Sequence, residues 1–234
     1  MLEPVVLTWS GGKDSALALH YIKTSRQYQI TYLLTTITED YNRISMHGVR
    51  SILLDNQSEA LGLPIEKVFI SKNSSNEEYE NQMREKLLFY QRQGISSVAF
   101  GDVFLEDIRK YREQNLSKVF MKGIFPLWKK NTQELAGQFI ELGFKAVIIC
   151  VDSQNLDKKF VGRYFDRQFL SDLPANVDPC GENGEFHSFV FDGPIFKRPI
   201  FFKIGDIVLR EKHFYFCDLI SDGQKTKYDN SKKK

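Results

Sequence analysis

Residues 5–15 read VVLTWSGGKDS, an apolar run that leads directly into a glycine-rich turn. The apolar residues of the next segment, 16–22, recur at helical spacing, so the stretch predicts a strand, a tight loop and a helix. Two adjacent glycines allow successive backbone N–H groups to face one anion, and the N-terminus of the following helix adds positive charge. The stretch therefore predicts a phosphate-binding loop at the first strand-to-helix connection.

Outward from this loop, strands and helices alternate as far as about residue 120. Apolar, β-branched runs predict strands at residues 5–9, 30–37, 68–70 and 97–100. Amphipathic segments predict helices at residues 15–23, 49–61, 76–93 and 106–120. This alternation is typical of βαβ crossovers and predicts an α/β fold with a mainly parallel sheet. Such sheets bind ligands beyond the carboxyl ends of their strands, near the point where the strand order reverses.

The second half of the chain has a different pattern, in which strands follow helices without regular alternation. Helices are predicted at residues 132–142 and 162–173, and strands at 146–151, 188–191, 200–209 and 214–219, the last two as a hairpin. We therefore predict a Rossmann-like domain at residues 1–124, with helices on both faces of its sheet. A smaller α+β substrate-binding domain is predicted at residues 125–234, with a cleft between the two.

Composition narrows the function classes. The formal net charge is only +2, so the charge balance gives no indication of nucleic acid or an anionic membrane as a partner. No apolar run approaches the ~18 residues of a membrane span, and a cytoplasmic location is expected. Cys150, Cys180 and Cys217 lack paired spacing, which favours free thiols over disulfides or a zinc site. The Lys-rich segment 225–234 is expected to be solvated.

The side chains of the glycine loop suit a phosphate group. Lys13 supplies positive charge, and Ser10 and Ser15 supply hydroxyl donors. Asp14 can orient Mg²⁺ around bound phosphates. The spacing differs from the GxxxxGK(S/T) pattern of P-loop NTPases and from the GxGxxG dinucleotide fingerprint, so both of these sites are excluded. A glycine-rich turn capped by Asp14 is the structural alternative.

A second concentration of polar side chains occurs at residues 178–188, DPCGENGEFHS. Glu182, Asn183, Glu185 and His187 bring two carboxylates, an amide and an imidazole into a glycine-rich loop before a strand. Such a group can bind ammonium, position a metal or transfer protons. The alternative is a polar surface loop, although the density of functional groups favours binding.

The motif SGGKDS at residues 10–15 resembles the PP-loop, SGGxDS, of N-type ATP pyrophosphatases. Together with GENGEFHSF at residues 181–189, it resembles the diphthine–ammonia ligase family. Shorter agreeing segments extend the resemblance from residue 5 to about residue 198: Met46-His47, 101–103, 126–128 and 160–163. The resemblance implies a HUP-type sheet, ATP with Mg²⁺, and an adenylated intermediate that ammonium converts to an amide. In archaeal and eukaryotic members, the acceptor is the carboxylate of diphthine on translation elongation factor 2.

The resemblance, together with the positions of the two motifs and the strand ends, predicts a division of roles among these residues. Residues expected to contact ATP are Ser10, Gly11, Gly12, Lys13, Asp14, Ser15, Thr35, Thr36, Ile37, His47, Gly101 and Asp102. Residues expected to take part in catalysis are Lys13, Asp14, Glu182, Glu185 and His187. Residues expected to hold the carboxylate substrate or ammonium are Glu182, Asn183, Glu185, His187 and Arg163. Asp14 and Asp102 are expected to bind Mg²⁺.

Some of these residues have structural alternatives. A lone histidine such as His47 is often structural, and Asp102 is well placed to cap the next helix. Arg163 and Arg167 are four residues apart on one predicted helical face, where they either bind an anionic substrate or face solvent. The aromatic-rich segments at residues 196–202 and 214–216 are expected in the core or at the surface of a possible homodimer.

The chain also departs from the family pattern. Residues 104–113, FLEDIRKYRE, resemble a bacterial branch, in which the amide-ligase chemistry is expected on a substrate other than diphthine. Ser188 stands where the family often has Thr, which keeps the hydroxyl. A tRNA-modifying adenylating enzyme is a second hypothesis, disfavoured by the lack of paired cysteines and of a strongly basic composition. A nucleotide sensor that binds ATP without turnover is a third.

Overall fold

The computed structural model describes residues 2–45 and 47–222. The predicted solvated tail at residues 225–234 and the Met46 half of the Met46-His47 pair lie outside this range.

The first sheet is Rossmann-like. Its strands are β1 (Glu3–Thr8), β2 (Tyr28–Thr38), β3 (Arg43–Ile44), β4 (Ile65–Ile70), β5 (Ser97–Ala99) and β6 (Lys122–Ile124). The order β4-β2-β1-β5-β6 is parallel throughout, and the short β3 pairs antiparallel with the end of β2. The strand order reverses between β1 and β5. The predicted α/β class and mainly parallel sheet are confirmed.

Helices cover both faces of this sheet, as predicted. They are α1 (Lys13–Ser25), α2 (Ser51–Leu61), α3 (Asn76–Arg92) and α4 (Glu106–Ser117). The second half of the chain adds α5 (Thr132–Glu141) and α6 (Arg167–Asp172). Alternate residues of β1 point to opposite faces: Val6 packs in the cluster that contains Leu87 and Leu116 of α3 and α4. Leu7 packs in the cluster that contains Leu17 of α1 and Leu53 of α2. No helix among the described residues is long and apolar enough to span a membrane.

The second sheet is antiparallel. It contains β7 (Lys145–Asp152), β8 (Phe186–Asp192), β9 (Phe202–Arg210) and β10 (Phe214–Ser221) in the order β8-β7-β10-β9. The hairpin of β9 and β10 is confirmed. β8 and β9 are the edges of this sheet, but only β9 is largely exposed, with Ile207 and Leu209 about half exposed. A homodimer surface stays a prediction.

The helix predicted at residues 162–173 is wrong in its first half, because α6 begins only at Arg167. Gly162 has φ +81°, in the left-handed region, and Tyr164 pairs with Val147 of β7 in an isolated antiparallel bridge. Asp166 then caps α6, its carboxylate accepting the N–H of Phe169 at 2.7 Å. Arg163 and Arg167 therefore do not share a helical face.

The outer edge of β8 is bound to the glycine loop. The N–H of Val190 donates to the carbonyl of Gly11 at 2.9 Å. The buried amide of Gln57 donates to the carbonyls of Gly11 (3.0 Å) and Val190 (2.7 Å) and accepts the indole N–H of Trp9 (2.7 Å). The two halves of the chain thus meet through a polar junction inside a common core. The division near residue 124 stays a prediction.

We predict that Gln57→Ala lowers the free energy of unfolding by about 3 kcal/mol, because it removes the partners of the Val190 carbonyl and of the Trp9 indole in a buried site. Urea unfolding followed by circular dichroism measures this change. Gln138→Ala is the matched control, since the Gln138 side chain makes its bond to Tyr21 at the surface and should contribute less than about 0.5 kcal/mol. Equal effects of the two substitutions would contradict the structural role of Gln57.

Candidate active site

A cavity of about 670 Å³ lies at the carboxyl ends of β1, β2 and β5. This is the point where the strand order reverses, as is usual for ligand sites in open α/β sheets. Its walls come from both halves of the chain. The glycine loop and the residues that follow β2 and β5 line one part, and residues 180–184 and 186–188 line the other. The structure therefore brings together the two motifs that the sequence analysis singled out.

The two glycines of the loop have different tasks. Gly11 has φ +76°, and a β-carbon on it would lie 2.8 Å from the Gln57 side-chain oxygen, so this position favours glycine. Gly11 contacts β8 and does not line the cavity, whereas Gly12 does. The hydroxyl of Ser15 donates to the Gly12 carbonyl at 2.9 Å, and the hydroxyl of Ser10 donates to that of Ser15 at 3.3 Å. These bonds keep both hydroxyls on the cavity side of the loop.

Lys13 is the buried cation of the cavity. Its ammonium group is bound to the Asp14 carboxylate at 2.7 Å. Burial acts to lower the pKa of Lys13, but the nearby Asp14, Cys180 and Glu182 outweigh it, so the pKa is raised and the side chain stays protonated. The Lys13 N–H donates to the hydroxyl of Ser188 at 3.1 Å, which joins the first turn of α1 to β8.

Glu182 and Glu185, which the sequence analysis treated alike, lie in different surroundings. Glu185 is buried and accepts three N–H groups: the Asp178 backbone at 3.0 Å, the Asn183 backbone at 2.9 Å and the Asn183 amide at 3.0 Å. It does not line the cavity, so its carboxylate holds the loop in shape. Glu182 lines the cavity. Burial, followed by the nearby Asp14, raises the pKa of Glu182 to about 8.

Two imidazoles stack above the glycine loop. The ring centroids of His47 and His187 are 4.4 Å apart, with an angle of 29° between the ring planes. The Nδ1 atom of His47 is buried and has no hydrogen-bond partner. His187, which was expected on the substrate side, therefore lies beside His47 in the wall of the cavity.

Asp102 lines the cavity as expected, but in an ion pair. The guanidinium of Arg112 donates to its two carboxylate oxygens at 2.6 and 3.1 Å and lies 4.5 Å from the ring centre of Phe100. Sequence reasoning missed Arg112 as a site residue, along with Tyr79 and Met83 of α3. The position of Arg112 in α4, directly after β5, was the available signal for it. No local pattern marks Tyr79 or Met83, because they reach the cavity through packing between helices.

The remaining candidates divide between the cavity and the rest of the fold. Thr35 and Thr36 line the cavity at the end of β2, while Ile37 is buried in the core. Arg163 does not line the cavity; its guanidinium is bound to Asp172 at 2.7 Å. Its expected contact with substrate has no support in this geometry.

Similarities to solved structures are weak. A predicted subunit of a tRNA methyltransferase from Methanocaldococcus jannaschii matches with a TM-score of 0.42 and 17% identity, over 85% of this chain and 100% of that one. A U34-tRNA thiolase from Methanococcus maripaludis matches with a TM-score of 0.37 and 19% identity, over 60% of this chain and 57% of that one. The fold assignment therefore rests on the strand order itself.

Sequence relatives are more informative. Diphthine–ammonia ligase of Homo sapiens is 25% identical over 224 residues, which cover 86% of this chain and 83% of that protein. The Mus musculus enzyme is 26% identical with the same coverage. The Schizosaccharomyces pombe enzyme is 24% identical over 85% of this chain, but the match spans only 36% of that longer protein. Two family models also match: the diphthamide synthase N-terminal domain at residues 3–123 and the C-terminal domain at residues 131–220. Because these models together cover most of the sequence, the chain belongs to the diphthamide synthase family.

Proposed function

We propose that this protein is an ATP-dependent ligase that adenylates a substrate carboxylate, releases pyrophosphate, and transfers ammonia to the activated carbon. Membership of the diphthamide synthase family and the name of the relatives, diphthine–ammonia ligase, support an ATP-dependent ligase. The observation that carries the finer proposal is one cavity that combines a phosphate-type glycine loop with Glu182, an acid whose pKa is raised to about 8.

ATP is proposed to bind with its β- and γ-phosphates against the loop. Gly12 and the N-terminal end of α1 offer backbone N–H groups and the positive end of the helix dipole. Lys13, Ser10 and Ser15 add charge and hydroxyl donors from the same side of the cavity. Thr35 and Thr36 are proposed to meet the adenosine part, since they line the cavity at the end of the neighbouring strand.

Mg²⁺ is proposed to accompany ATP. Among the residues described by the structure, no group of three or more His, Cys, Asp and Glu side chains is arranged to hold a metal alone. Nucleotide-bound Mg²⁺ needs only one or two carboxylates, because phosphate oxygens and water complete its coordination. Asp14 and Asp102 both line the cavity, so the residues present fit such an ion. When bound, Mg²⁺ would neutralise part of the phosphate charge.

The proposed reaction has two steps. An oxygen of the substrate carboxylate forms a bond to the α-phosphorus as the bond from that phosphorus to the bridging oxygen of pyrophosphate breaks. The ionised form of Glu182 then takes a proton from ammonium. The resulting ammonia forms a bond to the acyl carbon as the bond from that carbon to the phosphate oxygen of AMP breaks, and the nitrogen releases one further proton to solvent to give the amide. The ionised form of a carboxylate with a raised pKa is suited to this proton transfer, since it is a stronger base than an exposed glutamate. With a pKa of about 8, Glu182 is ionised in only a minor fraction of molecules at pH 7, so ammonium-dependent turnover should rise as the pH approaches 8. Positioning and charge neutralisation by the loop supply the rest of the catalysis.

The acceptor is proposed to be a carboxylate. Diphthine is the acceptor named for the relatives, and it is the first compound to test on this chain. The chain covers 36% of the length of the fission yeast relative, so the activity of that whole protein transfers to this chain only as a proposal.

We predict that the protein converts Mg-ATP to AMP and pyrophosphate when it is supplied with ammonium and a fractionated cell extract as the source of acceptor. Phosphorus NMR of the products measures this reaction. Lys13→Ala should abolish it, because this side chain is the buried cation of the loop. Lys23→Ala, which changes an exposed lysine of the same helix, is the matched control and should retain activity. ADP and phosphate as products would contradict adenylation, and ATP binding without cleavage would favour a nucleotide sensor.

We predict opposite outcomes for the two glutamates. Glu182→Gln should lower ammonium-dependent amide formation by about 100-fold, because it removes the proposed base. Hydroxylamine, which is uncharged near neutral pH, should still trap the adenylate as a hydroxamate at the rate of the unsubstituted protein. Glu185→Gln should instead lower the free energy of unfolding by about 1–3 kcal/mol, since three N–H groups lose part of their acceptor.

The assay pairs mass spectrometry of the amide and hydroxamate with urea unfolding of both variants. If Glu182→Gln slowed formation of the amide and of the hydroxamate equally, Glu182 would act in adenylation, before ammonia reacts, and its role as the base for ammonium would be contradicted. If Glu185→Gln abolished amide formation without lowering the free energy of unfolding, Glu185 would have a direct role in catalysis, and its structural role would be contradicted.

A further inference from the structure

The stacked pair of His47 and His187 has a specific position over the phosphate-binding loop. A β-carbon on Gly12 would lie 3.6 Å from the Cε1 atom of His47, so this ring sits directly above the loop. His187 lies in β8 beside Ser188, whose hydroxyl accepts the N–H of Lys13. The two rings are therefore held by two separate segments, the one after β3 and β8, at the edge of the phosphate cradle.

The fixed positive charges of the cavity are already neutralised. Among the described residues that line it, the lysines and arginines are Lys13 and Arg112. Lys13 is paired with Asp14 at 2.7 Å, and Arg112 is paired with Asp102 at 2.6 Å. A triphosphate brings several negative charges even with one divalent cation bound. The cradle therefore lacks a positive charge that is free to meet them.

Both imidazoles are neutral near pH 7 before any anion arrives. Burial, together with Lys13, lowers the pKa of His187 to about 4. Burial, His187 and Lys13 lower the pKa of His47 well below its usual range. The unpartnered Nδ1 atom of His47 is therefore a buried polar group that gains from a ligand or a proton.

We propose that the His47–His187 pair takes up one proton when the phosphates of the nucleotide bind, and that the resulting imidazolium is the additional cation of the cradle. The proposal rests on the proposed function only in requiring that a nucleotide binds at the glycine loop. An anion beside the rings favours the charged form for the same electrostatic reason that Lys13 disfavours it. One proton is expected for the pair, because two charged rings stacked at 4.4 Å would repel each other.

The charged side chains around the His47–His187 pair do not stabilise its protonated form, so the phosphates must do so. Lys13 faces the rings from α1 and opposes protonation. Glu182, in the loop before β8, contributes to raising the pKa of Lys13. Arg43 and Arg50, which flank His47 on its own segment, donate to Asp218 of β10 at 2.9 and 2.6 Å. Among the residues that the structure describes, no carboxylate shifts the pKa of either ring, so the incoming anion is the group that stabilises the imidazolium. When pyrophosphate leaves, the proton returns to solvent.

Titration calorimetry on the unsubstituted protein tests this inference. The probe is the Mg²⁺ complex of the ATP analogue with a methylene group between the α- and β-phosphorus atoms, which cannot be cleaved at that bond. Titrations at one pH in buffers of different ionisation enthalpy give the number of protons taken up on binding. We expect about one proton per site at pH 7, and a Kd that rises by up to about tenfold per pH unit above neutrality, the limit for uptake of one proton.

Variants show whether the measured proton uptake comes from the His47–His187 pair or from other groups of the protein. The double variant H47N/H187N should lose the proton uptake and bind the probe about tenfold more weakly at pH 7, the difference expected when the pKa of the pair in the complex lies about one unit above that pH. His20→Asn is the control, since His20 lies on α1 away from the cavity lining and should leave the uptake unchanged. Circular dichroism checks that each variant is folded, and the experiment on the unsubstituted protein decides the question even if one is not.

Uptake near zero in the unsubstituted protein would overturn the inference, as would unchanged uptake in the double variant or failure to bind the probe. Proton uptake as expected, in a protein that forms no AMP with any acceptor, would support the inference while contradicting the proposed ligase activity.

Discussion

Hydrogen bonds between the outer edge of β8 and the glycine loop are the contact on which the rest of the structure depends. The N–H of Val190 donates to the carbonyl of Gly11, and the hydroxyl of Ser188 accepts the N–H of Lys13. The side-chain amide of Gln57 donates to the carbonyls of both Gly11 and Val190. These bonds cover an edge that would otherwise expose unpaired backbone groups. They also hold together the glycine loop and β8, which line two different parts of the cavity, so that residues more than 170 positions apart in sequence form one site.

Charge compensation is the second common feature of the site. Each cavity cation has a carboxylate partner, the imidazoles are neutral, and Glu182 has a raised pKa because it is buried close to Asp14. A site of this kind has little net charge of its own and responds strongly to the charge of what binds in it, because charges interact more strongly where water is excluded. This property suits the proposed reaction, in which an activated acyl group must be protected from water.

Much of the fold could be predicted from the sequence, because hydrophobic periodicity and glycine positions are local signals. The parallel sheet, the helices on both its faces and the loop at residues 10–15 follow from such signals. The predicted helix at 162–173 failed where Gly162 and a bridge from Tyr164 to β7 override local spacing. In the site, the motifs identified the right segments but not the direction of each side chain. Glu185 faces inward to three N–H donors while Glu182 faces the cavity, and Tyr79 and Met83 reach the cavity through packing that no motif records.

The central claim is that β8 and the glycine loop form one cooperative unit, and hydrogen exchange of the Val190 amide tests it most directly. If the bond to Gly11 is as described, this amide should exchange only through global unfolding, with the same free energy as the Val6 amide in the middle of the first sheet. Outward-facing amides of β9, the other edge of the second sheet, give the reference for an uncovered edge. Exchange of Val190 at a free energy near that of the β9 amides would contradict the account, because the two halves would then separate without unfolding.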